Sequence, residues 1–175
     1  MSSGFIEEMD RYARFMGEFN EESHRGCAVL TMCVLEEALK KLFARRLPSK
    51  HFDQFYQRSG TERNVQRAEV LGLLSAREAR CFIALAGIRN IFAHHALEKL
   101  SFDSPDIRER VSNLRPPLSA SAMKHVRAST SREQFLMAAS TLFAFMQMHL
   151  DNVQTLSGKQ DVKIWGPDGE VPYAE

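Results

Sequence analysis

The stretch "GIRNIFAHHALEKLSF", residues 87–102, sets polar groups into an apolar run with helical spacing. On a helical projection Arg89 falls inside the apolar arc, whereas Asn90 and His94 lie side by side at its edge. A guanidinium in an apolar arc requires acceptors, because an unpaired buried charge is strongly destabilising. The stretch therefore predicts a core helix that carries a paired arginine.

The carboxylate partner of Arg89 must come from another helix. Glu36 and Glu37 lie midway along the long apolar helix predicted for residues 20–47, and Glu22 lies near its start. We therefore expect Arg89 to bond Glu36 or Glu37, or to reach Glu22. The predicted polar cluster has these members: Glu22, Arg25, Glu36, Glu37, Arg89, Asn90 and His94.

Two interpretations of this stretch remain open. In the structural one, an Arg–Glu pair fixes the helix register, and Asn90 and His94 end the helix. In the functional one, R-N-x-x-x-H resembles the signature of HEPN domains, which are all-α and often act as metal-independent ribonucleases. That resemblance implies proton transfer by His94, charge stabilisation by Arg89 and a site shared between two copies. Since Arg89 and His94 are about 140 degrees apart on one helix, only a homodimer could reunite them, and the structural interpretation is favoured.

Helical spacing covers nearly the whole chain, and the alternation typical of strands is almost absent. The 175 residues predict one all-α domain of about seven helices, with Asn20 capping the second. Capping-box spacing marks two starts, at Ser75 and Thr130. The predicted helices are 3–18, 20–47, 49–60, 61–71, 75–93, 103–114 and 130–156, with a loop at 115–129 and a tail or small hairpin at 157–175.

A helix-turn-helix is not supported at residues 64–83, the one stretch with suitable spacing. Arg67 and Glu78 stand where that motif needs apolar residues. The would-be recognition helix carries Cys81 and Phe82, which are too apolar for a DNA groove.

Charge is nearly balanced over the whole chain, with a net +1, but it is unevenly distributed. Residues 40–67 hold eight Lys and Arg against two acids, and residues 108–132 hold six against one. The first 24 residues carry six acids against two Arg. Any contact with nucleic acid is therefore expected through a basic surface alone.

The sequence predicts neither a cofactor nor a metal, since it lacks phosphate-binding glycine motifs and ligand pairs at metal spacing. The three cysteines lie in apolar runs without a C-x-x-C, which favours buried thiols in a reducing compartment. No apolar run reaches the roughly 18 residues that a membrane span needs. A cytoplasmic protein without membrane contact is expected.

Five segments together resemble the mannitol operon repressor family over roughly residues 20–115. They are "ESHRGCAVL" (22–30), "VLEEAL" (34–39), "VLGLLS" (70–75), "IRNIFAHH" (88–95) and "LSFDSPDI" (100–107). The resemblance implies an all-helical repressor of a sugar-alcohol operon that has no recognised DNA-binding fold. It also implies action through another regulatory protein, or through a basic surface. The separation of Arg89 from His94 on the helix favours a protein that is not an enzyme.

Overall fold

Helices make up most of the described part of the chain, which in this computed structural model comprises residues 17, 19, 21–56, 60–95, 97–117, 130–153, 165–166 and 169–170. The helices are α1 (His24–Arg46), α2 (Ser49–Phe55), α3 (Thr61–Val70), α4 (Ala76–His94), α5 (Pro105–Ser112) and α6 (Ser131–Asn152). These six match six of the seven predicted helices, so the all-α prediction is confirmed. The predicted helix 3–18 lies almost entirely outside the described residues, as does most of the predicted loop 115–129.

A two-stranded hairpin follows the helices. A small hairpin is one of the two alternatives that the sequence predicts for residues 157–175. Strand β1 (Trp165–Gly166) pairs antiparallel with strand β2 (Gly169–Glu170). Gly166 pairs with Gly169 at the inner end of the hairpin.

Side chains that satisfy free backbone N–H groups determine where the main helices begin. Both predicted capping boxes are present. The side chains of Ser75 and Thr130 each accept a bond from the backbone N–H three residues on. Their own backbone N–H groups donate to the carboxylates of Glu78 and Glu133. Helix α1 differs from the prediction, since its cap is not Asn20. Ser23 Oγ instead accepts from the Gly26 N–H at 3.0 Å, and the helix begins at His24.

Helices α1, α4 and α6 form the centre of the core. Arg132, at the start of α6, donates to the carbonyl oxygens of Phe19 and Glu22 just before α1, so the two helices start at the same end. His149, near the end of α6, contacts Glu78 in the first turn of α4. Helix α4 therefore runs antiparallel to both.

Aromatic rings close the core at the end where α4 finishes. Phe102, in the segment after α4, is fully buried between Phe92 of α4 and Phe135 of α6, with ring centroids 5.1 Å from each. The chain that leaves α4 is therefore anchored in the core within ten residues of the helix end.

The three cysteines do not share one environment. Cys27 and Cys81 are buried as predicted, but Cys33 is exposed, because six residues along α1 rotate it about 120° away from Cys27. Burial raises the pKa of Cys81 to about 12, and the neighbouring charge of Glu78 adds to this effect. Both buried thiols are held in the protonated, unreactive form, since burial also raises the pKa of Cys27.

A histidine–carboxylate pair fastens the end of α6 to the start of α4. His149 Nε2 lies 2.9 Å from Glu78 Oε1, and the Glu78 side chain is only 4% exposed. The hydrogen bond to Glu78 raises the pKa of His149 against the opposing effect of burial. Burial favours a higher pKa for Glu78, but the hydrogen bonds from His149 and Ser75 outweigh it and leave the pKa lowered.

This pair predicts that the fold loses stability as the solution becomes alkaline. Because the folded pKa of His149 is raised, its contribution is complete below the unfolded value of about 6.5 and disappears as pH rises through the folded pKa. Glu78 has a lowered pKa, so it contributes stability at pH values above its unfolded pKa and loses this contribution as the pH falls through its folded pKa. The free energy of unfolding, measured with urea, should decline between about pH 6 and about pH 9. His149→Gln should flatten this decline. His51→Gln is a matched control, since the His51 ring contacts the amide oxygen of Gln54, and it should keep the decline. Equal profiles for all three proteins would contradict the assignment.

Candidate functional site

The predicted partner of Arg89 is Glu36. Arg89 Nη2 donates to Glu36 Oε1 at 2.7 Å, and Thr61 Oγ1 donates to the same oxygen at 2.6 Å. Thr61 is the first residue of α3, which follows Gly60 in the left-handed region at φ 116°. One carboxylate oxygen thus joins α1, α3 and α4.

The Arg89–Glu36 pair lies at the edge of the core and not inside it. A quarter of the Arg89 side chain and about a third of the Glu36 side chain remain exposed, at 25% and 32%. The placement of Arg89 in the packed arc was therefore only partly correct. Its Nε is nevertheless enclosed and makes no hydrogen bond within the described part of the chain, which leaves a donor beside the pair.

Tyr56 and Glu37 complete the surroundings of this pair. Burial raises the pKa of the Tyr56 phenol, and the charges of Glu36 and Glu37 add to this effect, so the ring stays neutral beside the carboxylates. Glu37, the alternative partner of Arg89, instead lies 3.7 Å from Lys40 with both side chains about half exposed. The phase of α1 points Glu36 at α4 and turns Glu37 about 100 degrees away.

The prediction placed Arg25 in the same cluster as Arg89. In the structure, Arg25 instead binds the C-terminal end of α4. Its Nε donates to the Phe92 carbonyl at 2.9 Å, and its Nη2 donates to the carbonyls of His95 and Glu98 at 2.9 and 3.2 Å. Helix ends expose such carbonyls together with a partial negative charge, which a guanidinium neutralises. The predicted cluster is thus two sites, because Arg25 lies about 16 Å from Glu36 along α1.

Glu22 belongs to neither of these contacts. Its carboxylate lies against Gly26, where a Cβ would come within 2.7 Å of Glu22 Oε2, and its carbonyl accepts from Arg132. A side chain at position 26 would therefore have to displace the end of the exposed Glu22 side chain. Glu22 serves the start of α1 and was wrongly grouped with Arg89.

The segment that follows α4 makes several bonds, and we call its described residues, 95 and 97–101, the α4 exit loop. Besides the two carbonyl bonds to Arg25, His95 Nδ1 pairs with Glu98 Oε1 at 2.8 Å. At the end of the loop, the Phe102 N–H donates to His24 Nδ1 at 3.5 Å. From this fixed backbone the Leu97 side chain projects fully into solvent.

Asn90 and His94 are both exposed and lie one turn apart on α4. The structure does not bring them to Arg89, whose carboxylate partner lies at the α1–α3–α4 junction. Arg89, Asn90 and His94 consequently do not converge within one chain. A single copy offers two separate polar features, the Glu36 junction and the exposed face of His94.

Sequence reasoning missed Thr61, Tyr56 and Leu97. The threonine hydroxyl gives only a helix-start signal, and its bond to Glu36 depends on tertiary placement. Tyr56 is separated from Glu36 by the whole of α2. An isolated exposed leucine has no sequence signature. The position of Leu97, just after the polar end of the predicted helix 75–93, was the one available sign that its side chain is exposed.

This chain matches no family profile, no curated protein and no solved structure in comparisons with known proteins. Among the residues that the structure describes, no group of His, Cys, Asp and Glu is arranged to hold a metal ion. None of the helices in that part of the chain has both the length and the apolarity to cross a bilayer.

Substitution of the Glu36 junction should reveal a measurable coupling. Because the pair is partly exposed, Arg89→Met should lower the free energy of unfolding by about 1–2 kcal/mol, below the 3–5 kcal/mol of a fully buried pair. A double-mutant cycle with Glu36→Gln should give a coupling of about 1 kcal/mol. Glu37→Gln is the matched control, with an expected change under about 0.5 kcal/mol. Strict additivity of Arg89→Met and Glu36→Gln would show that the pair contributes nothing.

Proposed function

We propose that this protein is a repressor-like transcriptional regulator of carbohydrate metabolism that acts by contacting another regulatory protein. The proposal that the controlled genes serve sugar-alcohol metabolism rests on the resemblance of five ordered segments to the mannitol operon repressor family. The mode of action rests on the α4 exit loop, which is the observation that carries the proposal.

The α4 exit loop has the properties of a protein-binding element. Its backbone is held by Arg25 through two carbonyls, and the side chains of His95 and Glu98 form a hydrogen bond within it. A fixed loop loses little conformational entropy on binding, so an apolar side chain that it displays can contribute most of its burial energy to a complex. Leu97 is such a side chain, because it is fully exposed and bounded by polar groups.

The described helices also support indirect action on DNA. The segment 64–83, tested above as a helix-turn-helix, runs from α3 through a turn into α4. Cys81 and Phe82, at the positions of a recognition helix, are at most 2% exposed. A helix whose central residues are buried in the core cannot enter the major groove without unfolding.

A HEPN-like ribonuclease, or its inactive descendant, is the second candidate. The observation in its favour is the exposure of His94, which a proton-transfer residue requires. Against it, Arg89 is engaged with Glu36 at 2.7 Å and turns away from His94 on the same helix. A second copy would have to supply the missing group.

Substitution of Leu97 should relieve most of the repression without loss of the fold. In a host strain that lacks this gene, the wild-type protein should repress a reporter fused to the sugar-alcohol operon, and Leu97→Asp should relieve most of that repression. Val70→Asp is a matched control, since Val70 is also a highly exposed apolar residue at the end of a helix. Both variants should unfold at the wild-type temperature, because neither side chain is buried.

Two outcomes would contradict this proposal. One is equal repression by Leu97→Asp and the wild type, or equal loss in both variants. The other is cleavage of single-stranded RNA in the presence of chelator that disappears in folded His94→Ala, which would favour the ribonuclease.

A further inference from the structure

The first half of α1 carries an uncharged surface that faces away from the core. Residues 26–35 contain no charged side chain. Two of the side chains in this range, Leu30 and Cys33, are exposed, and Val29 and Val34 are half-buried. We call these four side chains the apolar face of α1. A helix surface that faces solvent ordinarily carries polar or charged side chains, so the apolar face has the composition of a contact surface.

Leu30 and Cys33 belong to a row of accessible positions along α1. The row advances in alternating steps of four and three residues, from Gly26 through Glu37 to Lys40. Such spacing lines one side of a helix and is typical of the seam between two packed helices. All five positions are at least partly exposed, so the described part of the chain leaves this row open to a partner.

The two ends of this row carry opposite charges. Glu22 lies at its start, where the carboxylate rests against Gly26, and Glu21 beside it is also exposed. Lys40 lies at the other end. Its contact with Glu37, at 3.7 Å, joins two side chains that are about half exposed, and such pairs are weak. An identical helix that approaches in the antiparallel direction therefore brings its cationic end to the acidic end of the first.

We propose that the apolar face of α1 binds the same face of a second copy of this chain, with the two helices antiparallel and Cys33 beside the twofold axis. Gly26 and Lys40 are each seven residues from Cys33, or about 10 Å along the helix. This register places Lys40 of each copy against Glu22 of the other. Leu30 of each copy packs beside Cys33 of the other. One patch serves both subunits, so the apolar and the charged contacts each occur twice.

A lipid surface fits the apolar face less well than a second copy does. Membrane-surface helices flank their apolar side with cations, whereas acids stand at one end of this face. The face spans residues 29–34, about 8 Å of the helix axis, so the contact is small and the dimer is weak and reversible. The contact uses neither Leu97 nor the α4 exit loop, so the inference is independent of the proposed regulatory role.

Sedimentation velocity of the full-length protein tests this inference. The average mass should rise from monomer towards dimer as the protein concentration is raised from about 1 µM to about 100 µM. Cys33→Asp places two carboxylates beside the twofold axis, and their repulsion should raise the dissociation constant about tenfold or more. Val70→Asp, at another exposed apolar side chain, is the matched control and should leave the dissociation constant unchanged.

Two results of this measurement would overturn the proposal. One is an equal effect of Cys33→Asp and Val70→Asp in folded protein. The other is a wild-type protein that stays monomeric at every concentration. If its Cys33 also reacted slowly with a maleimide, the face would instead be covered by another segment of this chain.

Charge reversal tests the antiparallel register. Lys40→Glu and Glu22→Lys should each weaken the dimer, because each sets like charges against one another in the two copies. The double variant restores opposite charges at both ends and should recover the wild-type dissociation constant. Both side chains are exposed, so all three variants should keep the wild-type helix content in circular dichroism. Additive weakening in the double variant would contradict this register.

A short bismaleimide crosslinker locates the interface directly. Each thiol adds across one maleimide double bond, and no group leaves. Burial raises the pKa of Cys27 and raises that of Cys81 to about 12, so the exposed Cys33 is the thiol that reacts. The reagent should join two wild-type chains and should fail to join chains of Cys33→Ser. A protein that sediments as a dimer but forms no crosslink would show that its interface lies elsewhere.

Discussion

The guanidinium of Arg25 is the interaction on which the arrangement around α4 depends. Helix α4 ends at a C-cap that is His95 and not a glycine, and the start of α1 places Arg25 against the carbonyls at and just after this helix end. Arg25 donates to three carbonyls from Phe92 to Glu98, so it ends the helix and fixes the direction of the exit loop together. The same turn of α1 provides His24, which receives the Phe102 N–H where the chain re-enters the core.

A second polar contact, at Glu36, fixes the other side of α4. Its single oxygen accepts from Arg89 and from Thr61, so that α1 sets the positions of both α3 and α4. Non-directional apolar packing would allow these helices to slide or rotate by small amounts. Directional bonds at two points along α1, about 16 Å apart, restrict such movement. Arg89, the polar residue inside the apolar arc, thus has a structural role at the junction of α1, α3 and α4.

Local signals were predicted well because they depend on neighbouring residues. The capping boxes at Ser75 and Thr130 are of this kind, and so are most helix boundaries. The Arg89 bond to a glutamate was predictable from the energetic requirement of a charge near the core. The choice of Glu36 over Glu37 was not, because it depends on the rotation of α1 relative to α4. The acceptors of Arg25 are backbone carbonyls, which no side-chain pattern reveals.

The central claim, that Arg25 holds the α4 exit loop in place, is tested most directly by hydrogen exchange. The amides of His95, Glu98 and Leu100 make backbone bonds within this segment. Loss of a charged donor is worth about 1.5–3 kcal/mol, so Arg25→Met should speed their exchange about tenfold or more and leave the centre of α6 unchanged. Arg80→Met, an exposed position on α4, is the control. Unchanged exchange of these three amides in Arg25→Met would contradict the account.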